Sequence, residues 1–497
     1  MRGTYLNQDA KNKLWLLLLA ATVLLFGMLG AREIWTQEHR WADIVSGMFY
    51  RHDFLHPYLG ENQYYDKPLL SYWLIAGLSW FEGQLTTWAL RAPSAMAGIL
   101  AVWSIYRLGA KLKDQRVGLL AGWMLLTTFY FIFWARTSSA DMLNMAGALF
   151  AVSWYFDKRE QAGFFDFAIF FLILAVTSLC KGLGGAIVAL IAIFPDLISG
   201  QRWKQYLRVS VLLSVIPAAL VYFLPFWAST HFGGDTYGES GLYLVYRENI
   251  LRYFQPFDHK DPIYTYLIYL PVYLLPWTLF FIPALLSLKS RWRAMTEESK
   301  WMVWSLLLLF LFFTLSGSRR SYYVLPMVPF AILLTADWMS ENVKRIHWAK
   351  RFSVVFFIVL LINFMLIQPL YYAAGGTEGF AKQLKQTVTQ AQPWSQWQFV
   401  MLDPEIKVSY YLQLPPTVKV YDVVGPRNKQ TMASLESAWP ILKAHPKNLI
   451  IISRKQYEPM LTAMLKDNYQ LISAQPSLGE RLLNIKNQNL PIAFVPK

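Results

Sequence analysis

The side chains of this 497-residue chain that could do chemistry are charged groups set at the ends of long apolar runs. They are Glu38 and Arg40 in QEHR, Asp66 and Lys67 in QYYDKP, Asp141 in SSADML, Lys181 in CKGLGG, Arg252 in ENILRYF, His259 in DHKD, and Arg319 with Arg320 in SGSRRSYY. Arginine forks match phosphate oxygens and lysine supplies a compact charge, so Arg40, Lys67, Arg252, Arg319 and Arg320 suit a phosphate or diphosphate at a bilayer edge. Glu38, Asp66 and Asp141 could bind sugar hydroxyls, ligate a cation or take a proton from an attacking group. Cations that stabilise a leaving phosphate, beside carboxylates that activate what attacks, are what group transfer from a membrane-bound phosphate carrier requires.

Each residue also has a plainer reading. Asp141 stands just before an apolar run and could cap a helix. Lys181, beside Gly182 and Gly184, could be a charge snorkelling at a helix end. His259 could be an ordinary solvated imidazole. Asp66 and Lys67 could pair with each other at a helix start. The functional reading rests on their number and on their placement on one side of the membrane.

That placement comes from the elements that must carry them. The chain is 55% hydrophobic and 15% charged, and it repeats apolar stretches long enough to cross about 30 Å of hydrocarbon at 1.5 Å per residue. The first, Leu14 to Gly30, lacks a small-residue cleavage site and is expected to be a retained helix. Further expected spans are 91–110, 117–134, 142–156, 164–180, 183–198, 209–227, 263–288, 301–315, 322–338 and 352–370, eleven in all. The weaker stretch 69–81 is expected to dip in or lie along the interface. Short loops rich in lysine and arginine, such as Lys111 to Arg116, Lys158-Arg159, Arg202 to Arg208 and Lys289 to Lys300, then share one face, which the positive-inside rule makes cytoplasmic. The candidate site residues fall on the other face. Most of the +15 net charge is accounted for in this way, and a nucleic-acid partner is not expected. The single cysteine, Cys180, excludes an internal disulfide.

Composition changes near residue 370. Residues 371–497 contain β-type runs at 398–402, 417–422, 449–453 and 480–485, with a helical pattern at 457–466. Strands alternating with helices predict a small α/β domain, placed outside the cytoplasm by the odd span count.

The ordered set QEHRWADIVSGMF, QYYDKPLLSYW, LRAPSAMAG, ARTSSADML, CKGLGG, ENILRYF and SYYVLPMVP resembles the GT-C superfamily of polyprenyl-phosphate-sugar transferases. It is most similar to the branch with the lipid A aminoarabinose transferase and bacterial mannosyltransferase-like enzymes. The resemblance covers about residues 14 to 340, with a weaker echo in SYYLQLPP at 409–416. It implies an all-α polytopic membrane domain of about 11–13 transmembrane helices over residues 1–370, with periplasmic loops at 31–68 and 229–262, and a periplasmic α/β domain over 371–497. It assigns Arg40, Lys67 and Arg252 to the carrier phosphate and Asp141 to the second acidic position. Asp66, Lys181 and Tyr322 are expected at the sugar or acceptor. The family's first outer loop carries an Asp-Glu pair, where this chain has Gln37 and Glu38, so either Glu38 takes over the missing aspartate's role or the acceptor needs less activation. The usual Glu-Lys-Pro is here Asp66-Lys67-Pro68.

The implied function is inverting transfer of a sugar from a polyprenyl phosphate, undecaprenyl in bacteria, to a periplasmic lipid or glycan such as lipid A. The expected location is the bacterial inner membrane. No cofactor is required by that chemistry; a divalent metal ion is an optional addition, with Asp66 and His259 as its expected ligands. Alternatives are a protein O-glycosyltransferase on the same fold, a membrane subunit whose site has decayed at Gln37, and a transporter or flippase. Transporters gather charge nearer the midplane and show paired halves, which this pattern lacks.

Overall fold

The computed structural model describes residues 8–60, 62–64, 67–232, 241–243, 245–422, 433–434, 440 and 447–497. Asp66 and parts of loop 229–262 therefore lie outside the described residues. The chain divides into two compact units. One holds residues 1–29, 54–57 and 64–362, and the other holds 30–53, 58–63 and 363–497. The tail therefore shares its unit with most of the first long loop.

The main helices of the first unit are α1 (Gln8–Phe26), α3 (Leu70–Glu82), α4 (Thr87–Leu112), α5 (Gln115–Leu126), α6 (Phe129–Ala135), α7 (Ala140–Lys158), α8 (Phe164–Lys181), α9 (Gly184–Ser199), α10 (Val209–His231), α11 (Thr265–Tyr273), α12 (Thr278–Leu286), α13 (Glu297–Leu315), α14 (Ser321–Ser340) and α15 (Val343–Tyr371), whose residues from 363 onward belong with α2 (Thr36–Arg51) to the other unit. Among the described residues α4, α8, α10, α13, α14 and α15 are each long and apolar enough to cross a membrane. The expected span at 117–134 is the pair α5 and α6, bent by 69°. The stretch 263–288 is likewise broken, into α11 and α12, each with an internal proline at Pro271 or Pro283. Stretch 69–81 is α3, whose 13 residues reach only about 20 Å, short of the hydrocarbon thickness.

Lipid-facing and packed helices separate by composition. On α10 Leu212, Leu220, Phe223, Leu224 and Trp227 are exposed, an arrangement suited to hydrocarbon and costly in water. By contrast, α4 and α14 are buried along most of their length. Small residues permit this close packing. A Cβ on Gly118 would lie 2.4 Å from the Tyr106 carbonyl oxygen, and one on Gly147 would lie 2.1 Å from Thr177 Oγ1.

Two buried arginines close the end of α1. Arg136 is held inside, where Nη1 donates to the carbonyls of Leu24 and Leu25 at 2.6 and 3.0 Å and Nη2 to Met28 at 3.3 Å. Arg91 donates to Leu29 at 2.9 Å. Carbonyls at a helix C-terminus have no partner within the helix, and cations are favoured there. Both guanidiniums therefore serve the fold.

The second unit contains a hairpin, β1 (Tyr58–Leu59) with β2 (Asn62–Gln63), and a six-stranded sheet of order β5-β4-β3-β6-β8-β7. The strands are β3 (Gln398–Leu402), β4 (Val420–Asp422), β5 (Ala433–Ser434), β6 (Leu449–Arg454), β7 (Tyr469–Ser473) and β8 (Pro491–Pro496). The β3, β4, β5 and β6 pairings are parallel, and β8 joins β6 and β7 antiparallel. Strand β6 is buried along LIIIS, as a strand covered on both faces must be. Helix α16 (Gly376–Thr389) packs Phe380, Leu384 and Val388 on one face, and α18 (Glu458–Leu465), which follows the short α17 (Val408–Leu412), packs Leu461 and Leu465 on the other. This is the small α/β domain read from the sequence.

One expected strand is overturned. Residues 480–485 form the end of helix α19 (Leu478–Leu482) and a turn. Ser477 Oγ accepts the Glu480 N–H and the Glu480 carboxylate accepts the Ser477 N–H at 2.8 Å, and this capping box fixes a helix start that outweighs the apolar run.

Candidate active site

In the first unit, helix ends and one loop bring several of the expected residues together around Tyr322 and Tyr323. Asp141 lies in the first turn of α7 and Lys181 in the last turn of α8. Lys181 Nζ forms an ion pair with Asp141 Oδ1, and Lys181 sits 5.1 Å from the Tyr323 ring centroid. The cap of α7 is Ser139, whose Oγ accepts the Asp141 N–H at 3.0 Å and donates to Asp141 Oδ2 at 3.2 Å. The aspartate carboxylate is thus free of capping duty and held by a lysine and a serine. Gly182, at φ +114, turns the chain after Lys181, and a Cβ there would lie 2.9 Å from Asn249 Oδ1. Only glycine meets both demands.

Arg252 enters from the segment after the turn Tyr246–Leu251. Its Nη1 meets Glu248 Oε2 at 2.6 Å and its Nη2 meets Asp258 Oδ1 at 2.7 Å and Tyr323 Oη at 3.3 Å; Nε donates to Ser318 Oγ at 3.2 Å. Four neighbours fix the plane of this guanidinium. Tyr323 joins the Lys181–Asp141 pair to Arg252, and Tyr322 packs on Trp134 with ring centroids 5.3 Å apart. Arg320 lies 5.9 Å from the Tyr322 ring centroid, and among the described residues no carboxylate is within ion-pair distance of it. Tyr323 and Asp258 did not stand out in the sequence. The only hint of either was adjacency, in SRRSYY and FDHKD.

Arg319, of which a phosphate contact is expected, is engaged by backbone carbonyls. Its Nε donates to the Asp261 carbonyl at 2.8 Å and its Nη1 to the carbonyls of Thr314 and Ser316. It ties the loop before α14 to the loop that carries Arg252. His259 sits at φ +56 with its Nδ1 3.2 Å from Asp258 Oδ2. Burial, and then the Arg320 charge, push its imidazole below the ordinary value. Cations at Arg320 and Arg252 also disfavour a metal beside His259, and among the described residues no three His, Cys, Asp or Glu side chains form a metal-ligand group. The other expected ligand, Asp66, lies outside the described residues. Lys67 is half-buried in the segment leading into α3.

The second unit holds Glu38 and Arg40 on α2. Glu38 is 0% exposed, accepts the Trp35 N–H at 2.7 Å and pairs with Arg32 at 3.1 Å. Where a role as base is expected of Glu38, its carboxylate is buried, caps the start of its own helix and is held by Arg32. Arg40 lies on the exposed side of α2. In the same unit Ile34 N–H donates to Tyr411 Oη at 2.9 Å, and Glu33 accepts the Thr377 N–H at 2.6 Å and pairs with Lys407 at 3.4 Å, which fastens the first loop to the tail. A small open recess in the first unit lies apart from the tyrosine cluster, beside Trp154, Lys158, Arg159, Arg202 and Tyr206. Its arginines are paired with Asp196 and Glu160.

Residues 66–228 match the family described as dolichyl-phosphate-mannose-protein mannosyltransferase. An undecaprenyl phosphate-alpha-4-amino-4-deoxy-L-arabinose arabinosyl transferase of Pectobacterium atrosepticum is 27% identical over 377 residues, covering 71% of this chain and 66% of that protein. Its counterpart in Shewanella sediminis is 25% identical over 66% of this chain and 60% of that protein. The aligned part thus falls short of two thirds of either relative. ArnT from Cupriavidus metallidurans, crystallised with undecaprenyl phosphate, has the same fold, with a TM-score of 0.73 at 13% identity over 97% of both chains.

The chain is thus similar in sequence to these arabinosyl transferases and shares the fold of ArnT. The Archaeoglobus fulgidus oligosaccharyltransferase, at a TM-score of 0.55 and 11% identity over 93% of this chain and 71% of that one, shares the fold more distantly. The matched family region contains Lys67, Asp141 and Lys181, while Arg252, Arg320 and the tyrosine pair lie beyond it.

Proposed function

We propose that the protein is an inverting glycosyltransferase of the bacterial inner membrane that moves a sugar from undecaprenyl phosphate to a periplasmic envelope acceptor, with lipid A the leading candidate. The observation that carries this reading is the gathering of Arg252, Arg320, Lys181 and Asp141 around Tyr322 and Tyr323. Fold alone does not fix substrate, so the donor and acceptor are argued from this site and from the names of the relatives.

The acceptor oxygen attacks the anomeric carbon from the face opposite the carrier phosphate. The new C–O bond forms as the sugar–phosphate C–O bond breaks, and undecaprenyl phosphate leaves with the electron pair. Its growing charge is met by the cations of Arg252, Arg320 and Lys67, with Arg252 exchanging the Asp258 carboxylate for the phosphate. Where the acceptor is a hydroxyl, its proton passes to Asp141; where it is a phosphate anion, no base is needed and Asp141 orients the sugar. Lys181 holds that carboxylate in place. The positive-inside pattern supports a periplasmic site.

The test is transfer by the purified full-length protein in nanodiscs, with undecaprenyl phosphate-linked 4-amino-4-deoxy-L-arabinose and lipid A and the products read by mass spectrometry. Glycosylated lipid A formed by wild type and lost in Arg252→Ala is expected. Carrier that is bound yet never discharged, to lipid A or to other envelope acceptors, would overturn the reading.

A further inference from the structure

The turn after α19 displays a compact set of apolar side chains. Leu482 is 77% exposed, Leu483 66% and Ile485 44%. This display is built into the backbone. Asn484 adopts φ +53, and the Ile485 N–H closes back on the Glu480 carbonyl at 2.8 Å, the left-handed closure that ends a helix tightly. Such closures commonly fold the following apolar residue back onto the helix, but here Ile485 points outward with the two leucines. Arg481 and Lys486, both exposed, flank the set.

What covers this patch follows from where it is attached. Helix α15 ends at Tyr371, and its last turns carry exposed Leu366, Ile367 and Leu370, the lipid-facing side of a membrane span. Tyr371 and Tyr372 at its end, with ring centroids 4.9 Å apart, are the aromatic residues favoured at headgroup level. Helix α19 is fastened to that end. A Cβ on Gly479 would lie 2.0 Å from the Tyr371 ring, the Leu478 N–H donates to the Ala373 carbonyl at 2.9 Å, and Arg481 donates to the Ala374 carbonyl at 3.2 Å. The leucines therefore sit one short turn from the point where the span meets the interface.

We infer that Leu482, Leu483 and Ile485 form a membrane-inserting tip, by which the α/β unit rests on the same leaflet into which the end of α15 opens. Apolar side chains flanked by cations are the composition of elements that lie in the headgroup and acyl boundary. Arg481 and Lys486 meet lipid phosphates there, an attraction that anionic lipids strengthen.

The experiment places a single cysteine at Leu483 in a Cys180→Ala background of the full chain. It carries an environment-sensitive fluorophore, and the protein is reconstituted in nanodiscs of phosphatidylethanolamine and phosphatidylglycerol. Asp467→Cys, at an exposed site in the same unit, is the control. The expected result is blue-shifted emission at 483 and quenching by a shallow nitroxide lipid at least about twofold greater than at 467. Ile485→Cys is an independent second probe should Leu483→Cys fail to fold. Water-like, unquenched emission would overturn the inference. Blue-shifted emission without lipid quenching would overturn it too, because protein and not lipid would then cover the tip.

Discussion

Asp141 can be tested as a base separately from its role as a counter-ion. The perturbation is Asp141→Asn, alone and combined with Lys181→Met. Asparagine keeps an oxygen for Lys181 and places its amide nitrogen, a donor, beside the Ser139 hydroxyl, so the variant removes charge and basicity with little change of shape. The two side chains are 18% and 23% exposed, enough burial that the pair is not screened as a surface ion pair would be. Coupling between such neighbours is about 1–3 kcal/mol, or about 5- to 150-fold in rate. Loss of a general base costs about 10²- to 10⁴-fold in kcat. With a hydroxyl acceptor, Asp141→Asn should fall within that second range with KM little changed, and removing Lys181 as well should not restore it. The assay is single-turnover transfer from the lipid-linked donor. Should the double variant recover to within a few-fold of Lys181→Met alone, the loss in Asp141→Asn came from a stranded ammonium, and the role of Asp141 as base is refuted.

Two further predictions address the phosphate contact and the titration of α2. Asp258, 39% exposed and 2.7 Å from Arg252, competes with a carrier phosphate for that guanidinium. Asp258→Asn should therefore lower the donor KM by about two- to fivefold, the scale of a solvent-reached ion pair, and an unchanged or raised KM would show that Asp258 instead aims Arg252. On α2 the Asp43 carboxyl lies 3.0 Å from the His39 ring. Burial pushes Asp43 up from 3.8 to about 7, and burial with the neighbouring Arg40 charge pushes His39 down from 6.5 to about 4. Folded Asp43 keeps a proton that the unfolded chain releases, so its contribution to stability falls as pH rises from 3.8 to about 7. Folded His39 lacks a proton that the unfolded chain holds, so its contribution rises between about pH 4 and 6.5. Each slope is at most about 1.4 kcal/mol per pH unit, and the two oppose each other. Asp43→Asn should leave thermal stability rising with pH across that window, and His39→Gln should leave it falling. Identical slopes in the two variants would refute the paired titration.

The parts of this molecule that were legible in the sequence are those written in local pattern. The apolar lengths located the helices, and the run LIIIS located a buried strand because only a strand covered on both faces is apolar at every position. The polar residues were harder to read, because a charge at a helix end has the same appearance whether it faces a substrate or a backbone carbonyl. Arg136 and Arg252 both follow apolar runs, but one closes α1 and the other is held open to the cluster by Glu248, Asp258, Ser318 and Tyr323. Arg319 and Arg320 are neighbours in sequence with opposite tasks, one engaged by three carbonyls and the other without a carboxylate partner among the described residues. Glu38 was the hardest case, since the spacing that suggested a substitute for a missing aspartate is also the spacing of a residue that caps its own helix from the third position. What separates a site from a scaffold here is whether a side chain's donors and acceptors are already satisfied by the backbone. That depends on which helix ends meet, and residues 40 to 112 apart in sequence decide it.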